Sequence, residues 1–267
     1  MPKELFHFHQ SRIVLNAFGN YLRNTDSRAF LVSTIFPDSF FYSPFPGYPN
    51  LGRSLHGLEG RDFTEAVKKL SSDTLRRTKP VLMGIGVHLF TDALWHPSIN
   101  RAADIISQEF RWPRSASHTL LESFLQRCFL PERTEKGIIR EMMGSTRLLP
   151  GIGPVLTQVT KELLEVLSVS SRGITQWKIY LTMNLHILFL LVLHHKAVSK
   201  TLWNRISSGN PPGDLTSILA PGRIYVTRFK EKIDHFREVA DLFSRQFYSD
   251  RIRQLTTLFD GLLKVLQ

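Results

Sequence analysis

A stripe of three polar side chains within an apolar segment most constrains how this chain can fold. In GIGVHLFTDALWHP, residues 84–97, the positions His88, Asp92 and His96 follow one another at intervals of four. Side chains four apart lie on one face of an α-helix, so we expect a largely buried helix with this stripe along one side. Each histidine alone could be a core residue with one hydrogen bond, but an unpaired Asp92 would be costly to bury.

Helical periodicity continues through most of the chain and predicts an all-α fold. Helices are expected at 6–24, 62–77, 80–95, 115–129, 154–168, 175–198, 228–247 and 250–266. Pro80 should break the second and third of these into a helical hairpin, and serines should cap the start of the fourth. Alternation of period two is confined to short pieces such as GRIYVTRF, so no β-sheet is expected.

The domain organisation is predicted to be a single multi-helix domain. Residues 1–130 would form its helical core, and residues 131–267 would add further helices to the same domain. Residues 36–57, FPDSFFYSPFPGYPNLGRSLHG, are rich in proline, glycine and aromatic side chains, and are expected to form a long functional loop. Residues 206–223 are typical of an ordinary linker.

The charge and the cysteine content limit which partners and which cellular compartment are expected. The chain has 34 Lys and Arg against 23 Asp and Glu, a net charge of +11, which would attract phosphates, anionic lipid headgroups or nucleic acid. It has no run of five basic residues and no RNA-binding aromatic signature, so nucleic acid is the less favoured partner. A single cysteine and a first segment without the apolar core of a secretion signal favour a cytoplasmic protein.

The most apolar segment tests whether the chain spans a membrane. Residues 179–196 contain an uncharged run of about 15 residues, which is shorter than the ~20 that a spanning helix needs. The run also includes Asn184 and His186. We therefore expect no transmembrane span, but a buried central helix in which His186 is a core histidine with a hydrogen-bond partner.

Histidines and carboxylates recur near the stripe at spacings that suit metal ligands. His118 and Glu122 are four apart on a second predicted helix, and Asp38 and His56 bracket the aromatic segment. Imidazole nitrogens and carboxylate oxygens are usual zinc ligands, and two zinc ions can activate water for phosphoryl displacement. The alternatives are an exposed helix pair of His118 with Glu122, worth ~0.3–0.5 kcal/mol, and a turn that begins at Asp38.

The order of these motifs resembles the zinc-dependent phospholipase C family, in its cytoplasmic bacterial and archaeal branch. The motifs are FHFHQSRI, FPDSFFY, SLHG, HLFTD, WHP and SHTLLES, and they cover about the first 125 residues. The resemblance implies an all-α domain, of the type also found in fungal single-strand nucleases, with two to three zinc ions. The eight matching positions are His7, Asp38, His56, His88, Asp92, His96, His118 and Glu122.

The resemblance also implies a role for each position. One zinc ion would be held by Asp38, His56, His88 and Asp92. A second would be held by His96, His118 and Glu122. The third would be held by His7, or by His9 as the alternative, with Asp92 bridging between metals. Asp38 would additionally orient or deprotonate the attacking water as a general base.

The expected function is zinc-dependent hydrolysis of phosphodiester bonds. The substrate would be a phospholipid or another phosphodiester, and an anionic membrane surface is a possible partner. A single-strand nuclease-like phosphodiesterase is one alternative, in which aromatic residues of the 36–57 segment would stack on bases. A non-catalytic, metal-binding helical protein is the other.

Overall fold

The computed structural model describes residues 3–19, 24–58, 60–130, 137–141, 144, 149–193, 231 and 233–267. These residues are mostly helical and include no β-strand, which confirms the all-α class. A short 3₁₀ turn, Phe40–Tyr42, follows the third helix. The helices are α1 Lys3–Phe18, α2 Asn24–Thr34, α3 Phe36–Ser39, α4 Tyr48–His56, α5 Arg61–Lys68, α6 Ser72–Phe110, α7 Arg114–Phe129, α8 Leu149–Val166, α9 Gln176–Leu193, α10 Arg237–Leu242 and α11 Arg245–Leu266.

The chain divides into two compact units whose segments alternate along the sequence. The first unit consists of Met1–Phe6, Trp95–Gly137 and Phe189–Ile252. The second consists of His7–Leu94, Ile138–Leu188 and Arg253–Gln267. Helix α6 therefore contributes His88 and Asp92 to the second unit and His96 to the first.

The core of the second unit surrounds the middle of α6. Every residue from 81 to 92 is buried, including both polar members of the stripe in this stretch. The Phe63 ring packs edge-on against the Phe90 ring at 6.0 Å, and the Phe30 ring against the Phe259 ring at 6.1 Å. Because the apolar side chains of α6 are covered in this way, His88 and Asp92 must find their polar partners inside the protein.

The core of the first unit contains an aromatic cluster. The Trp95 ring lies 5.0 Å from Phe6 and 5.3 Å from Phe247, edge-on in both cases. The Phe129 and Tyr248 rings are stacked at 4.4 Å. These contacts fix the α6 turn that carries His96 against α7 and α11.

Gly84 allows α6 to approach α2 closely, one turn before His88. A Cβ atom at this position would overlap the Phe30 carbonyl oxygen and lie 2.8 Å from Ser33 Cβ. Real Cβ atoms do not tolerate such contacts, so only glycine fits without moving a helix. This close approach also brings His88 within hydrogen-bond distance of the last carbonyl of α2.

We expect Gly84→Ala to lower the free energy of unfolding by about 2–3 kcal/mol, because the clash is with backbone atoms that cannot rotate away. The matched control is Gly261→Ala in α11, where a Cβ meets nothing within 4 Å. That change should raise stability by about 0.5–1 kcal/mol through reduced freedom of the unfolded chain. Chemical denaturation measures both, and equal effects of the two substitutions would contradict the packing argument.

The prediction that Pro80 breaks the helix is wrong, because α6 runs continuously from Ser72 to Phe110. Proline lacks the N–H group that would bond the carbonyl of Arg76. Arg76 is exposed, so water can satisfy that carbonyl, while the buried stretch that follows holds the helix in place. The predicted serine caps of α7 are also wrong. Its N-cap residue is Pro113 without a side-chain cap, and Ser117 Oγ donates to the Pro113 carbonyl from inside the helix.

Residues 36–57 are mostly helical rather than the predicted long loop. Helices α3 and α4 and the 3₁₀ turn occupy most of the segment. Pro37 and Pro49 lie in the first turns of α3 and α4, where the N–H that proline lacks has no helical partner in any case. Gly47 precedes α4 with a φ of 85°, a conformation that favours glycine. The prolines therefore mark helix starts.

Several predicted helix boundaries differ from those observed. The first helix ends at Phe18, and the predicted helix 228–247 is interrupted by a turn at 234–236 and another at 243–244. Helix α11 begins at Arg245, five residues earlier than expected. Residues 20–23 and 194–198, the linker 206–223 and the segment GRIYVTRF lie outside the described residues.

Helix α9 corresponds to the most apolar segment of the sequence. No helix of the described residues is long and apolar enough to cross a membrane. His186 is confirmed as a buried histidine with a partner, since its Nδ1 lies 2.9 Å from Ser39 Oγ and its ring stacks on Tyr42 at 4.2 Å. The helix is buried on one face only, because Trp177 and Leu188 are exposed.

Candidate metal centres

Five of the predicted site residues come together in the second unit. Helix α1 supplies His7, α3 supplies Asp38, α4 supplies His56, and α6 supplies His88 and Asp92. Within this cluster, His7, His88 and Asp92 form one group that could hold a metal ion, and Asp38, His56 and His88 form another. The second-unit cluster therefore contains every predicted ligand of the first zinc ion, together with His7.

The distances within the second-unit cluster match the spacing of metal ligands. His56 Nε2 lies 3.1 Å from Asp38 Oδ1 and 3.0 Å from His88 Nε2. Asp92 Oδ2 lies 3.5 Å from His56 Nε2 and 3.3 Å from His88 Nε2. Asp38 Oδ1 is 3.8 Å from His88 Nε2. Neighbouring ligands of a tetrahedral zinc, with bonds of about 2.0–2.1 Å, are about 3.3–3.4 Å apart.

Backbone carbonyls orient two of the imidazoles. His56 Nδ1 donates to the Gly52 carbonyl one turn earlier in α4, at 2.8 Å. His88 Nδ1 donates to the Thr34 carbonyl at the end of α2, also at 2.8 Å. A carbonyl can only accept, so Nδ1 carries the proton and Nε2 of a neutral ring presents its lone pair to the cluster. Histidines that bind metals are held in this manner.

The electrostatics of the second-unit cluster require a positive charge at its centre. Burial, followed by repulsion from His7, lowers the pKa of His88 to about 4, so this imidazole is neutral at pH 7. The Nε2 atoms of His56 and His88 then lie 3.0–3.8 Å from oxygens of Asp38 and Asp92 and from each other. Either a metal ion or protons shared between these groups must offset their repulsion.

Asp92 faces partners on both sides. Its Oδ2 points to His56 and His88, and its Oδ1 lies 3.2 Å from His7 Nε2. The His7 ring also stacks on the His88 ring at 4.1 Å. The structure thus places His7 at the cluster. His9 lies in none of the candidate groups, and burial lowers its pKa.

The remaining three predicted ligands form a separate group in the first unit. Glu122 Oε1 lies 3.1 Å from His118 Nε2 and 3.4 Å from His96 Nε2. His118 Nδ1 lies 2.9 Å from Asn100 Oδ1, which fixes the ring with Nε2 towards the carboxylate. The Glu122 side chain is 5% exposed, so the alternative of an exposed helix pair does not describe it. Three ligands of this kind could hold one ion and leave a position open for water.

Solvent reaches the second-unit cluster best at His56. Its side chain is 15% exposed, against 3% or less for the other four members. The Phe41 ring lies 5.2 Å from the His56 ring and is partly exposed. A small ligand would therefore approach past His56 and Phe41.

Of the three residues that orient the imidazoles, two had no recognisable signal in the sequence. Gly52 and Thr34 act through backbone carbonyls, which every residue possesses. Asn100 acts through its side chain, four residues beyond His96 on α6. Its position on the stripe that His96 continues is a signal that could have identified it.

The comparisons with known proteins provide no relative from which a role could be transferred. No protein-family model matches the chain, and no curated protein or solved structure matches it either. Three groups of histidines and carboxylates that could hold metal ions are therefore the basis for assigning a function.

Proposed function

We propose that this protein is a zinc-dependent hydrolase of phosphodiester bonds, of the phospholipase C type. The observation that carries the proposal is the convergence of imidazole and carboxylate lone pairs in the second-unit cluster. A structural core rarely brings two imidazoles and two carboxylates this close, because their lone pairs repel one another unless a cation or shared protons lie between them. A divalent cation bound by these lone pairs would remove the repulsion between them.

Zinc suits these donors, and it is the metal that we assign. The ligand set contains nitrogen and carboxylate oxygen without thiolate, and the distances suit tetrahedral coordination. The second-unit cluster would hold one ion at Asp38, His56, His88 and Asp92. His7 and Asp92 would hold another. With the His96, His118 and Glu122 group, we expect two to three ions in all.

The chemistry would be attack of water on phosphorus, with cleavage of the phosphorus–oxygen bond to the alcohol that leaves. Bound zinc ions supply Lewis acidity, which lowers the pKa of water and stabilises negative charge on phosphoryl oxygens. Asp38 is fully buried, with its Oδ1 directed to His56 and His88, and its carboxylate would accept a proton from the attacking water. His56 and Phe41 border the entrance and would contact the substrate first.

A metal-dependence assay tests the proposed function. The zinc-loaded chain is offered a chromogenic phosphodiester, phosphatidylcholine, phosphatidylglycerol and single-stranded DNA in parallel. We expect hydrolysis of at least one phosphodiester, its loss after chelation, and its recovery on adding zinc but not magnesium. Turnover that survives complete metal removal would contradict the mechanism.

The pattern of substrates decides between the alternatives. Hydrolysis of lipid supports the phospholipase C type, whereas hydrolysis restricted to single-stranded DNA would support a nuclease in which Phe41 stacks on a base. A protein that binds zinc but cleaves none of the four substrates would overturn the enzymatic proposal and favour a metal-binding helical protein.

A further inference from the structure

The large hydrophobic side chains that are exposed among the described residues all lie on α9. Trp177, Tyr180 and Leu188 have exposed fractions of 57, 42 and 56%. Their spacing places them on one helical face that extends over about 16 Å. Leu181 and Leu185 lie on the same face and are partly exposed. These five side chains form what we call the α9 patch.

Positive charge borders the α9 patch. Lys178 Nζ lies 5.3 Å above the centre of the Phe45 ring, and Arg172 is exposed just before the helix. The described residues 166–193 contain Arg172 and Lys178 and no Asp or Glu. An anionic surface that approached this face would therefore be attracted by Lys178 and Arg172.

The aromatic members of the α9 patch suit the boundary between lipid and water. The Trp177 ring lies edge-on at 5.1 Å from Phe45, which extends the apolar surface beyond the helix. Trp and Tyr combine an apolar ring with one polar group, and they are enriched at membrane interfaces for this reason. An apolar stripe beside cationic side chains is typical of helices that lie in a bilayer surface.

We propose that the α9 patch is a docking surface for an anionic lipid bilayer. A second copy of this basic chain would bring like charge to Lys178 and Arg172, whereas anionic headgroups complement them. The α9 helix that would dock is also hydrogen-bonded to residues near Asp38 in the sequence. His186 on α9 lies 2.9 Å from Ser39, and Thr182 lies 3.0 Å from Ser43. The inference rests on exposure and charge, so it is independent of metal and of hydrolysis.

Co-sedimentation of the full chain with lipid vesicles tests this proposal. The vesicles contain equal parts of phosphatidylcholine and phosphatidylglycerol, and vesicles of phosphatidylcholine alone serve as the neutral comparison. We expect the chain to bind the anionic vesicles, with a shift of tryptophan fluorescence to shorter wavelength and weaker binding at high salt. Trp177→Gln should reduce the partition coefficient about tenfold, because it removes an exposed ring from the lipid boundary.

Matched variants distinguish docking through the α9 patch from nonspecific adsorption to vesicles. Leu188→Gln changes a member of the α9 patch, and Leu258→Gln makes the same change at a partly exposed leucine on α11. The control for Lys178→Gln is Lys69→Gln, which changes an exposed lysine directly after α5. Only the α9 variants should lose vesicle binding while remaining folded. Equal binding by all variants, or a Trp177→Gln change that instead dissolves a dimer, would overturn the proposal.

Discussion

Asp38→Asn is expected to lower phosphodiesterase turnover by at least about 100-fold while most of the zinc remains bound. Asparagine keeps an oxygen of similar position for ligation, but it cannot accept a proton at neutral pH. General-base catalysis contributes about 100- to 10,000-fold in enzymes, so its loss alone accounts for an effect of this size. The fall should appear in kcat, with KM little changed, because the base acts after the substrate has bound.

The control for this variant is Asp62→Asn, which neutralises an exposed aspartate in the first turn of α5. Turnover and zinc content are measured on both proteins, by steady-state kinetics and elemental analysis. The control should match the wild type in both respects. An Asp38→Asn variant with full activity would exclude Asp38 as the base, and one that loses turnover only in proportion to zinc would assign it to ligation alone.

Asp92→Asn is expected to have opposite consequences for the two forms of the protein. In the zinc-loaded form, a carboxylate that contacts His7 on one side and His56 and His88 on the other is lost. At least one equivalent of metal should leave. A site saturated at 1,000 times its Kd contributes about 4 kcal/mol to stability, so the loaded protein should become several kcal/mol less stable.

In the metal-free form, the same substitution removes a buried negative charge and offers N–H donors to the neighbouring imidazoles. We therefore expect the metal-free Asp92→Asn protein to be no less stable than metal-free wild type. Chemical denaturation with and without chelator measures both effects. Equal destabilisation in the two conditions, with unchanged metal content, would mean that Asp92 serves only the packing of α6.

The periodicity of the sequence was sufficient for the helical class and for the stripe on α6, because burial enforces the spacing of apolar residues along a helix. The predicted helix boundaries were wrong at prolines. Pro80 lies within a helix whose interrupted carbonyl belongs to exposed Arg76, whereas Pro37 and Pro49 begin helices. A proline's effect depends on whether its missing N–H was needed, and that is a property of the three-dimensional environment.

The spacing of residues alone predicted the residue types of the candidate site, whereas their grouping was implied by the resemblance in motif order. The period of four on α6 identified His88, Asp92 and His96 as one stripe. Their division between a cluster with Asp38 and a separate group with Glu122 depends on how α3, α4 and α7 pack, which no local spacing encodes. The choice between His7 and His9 likewise needed the helix in place, since only His7 Nε2 is within 3.2 Å of Asp92 Oδ1.

Elemental analysis of the full chain, purified without chelator and dialysed at neutral pH, tests most directly whether the histidine and carboxylate clusters are metal centres. We expect two to three equivalents of zinc per chain, with loss of at least one in Asp92→Asn and no loss in Asp62→Asn. Chelation should release the zinc and lower the unfolding temperature. A chain that carries no zinc, and takes up none when zinc is supplied in excess, would contradict the existence of the metal centres.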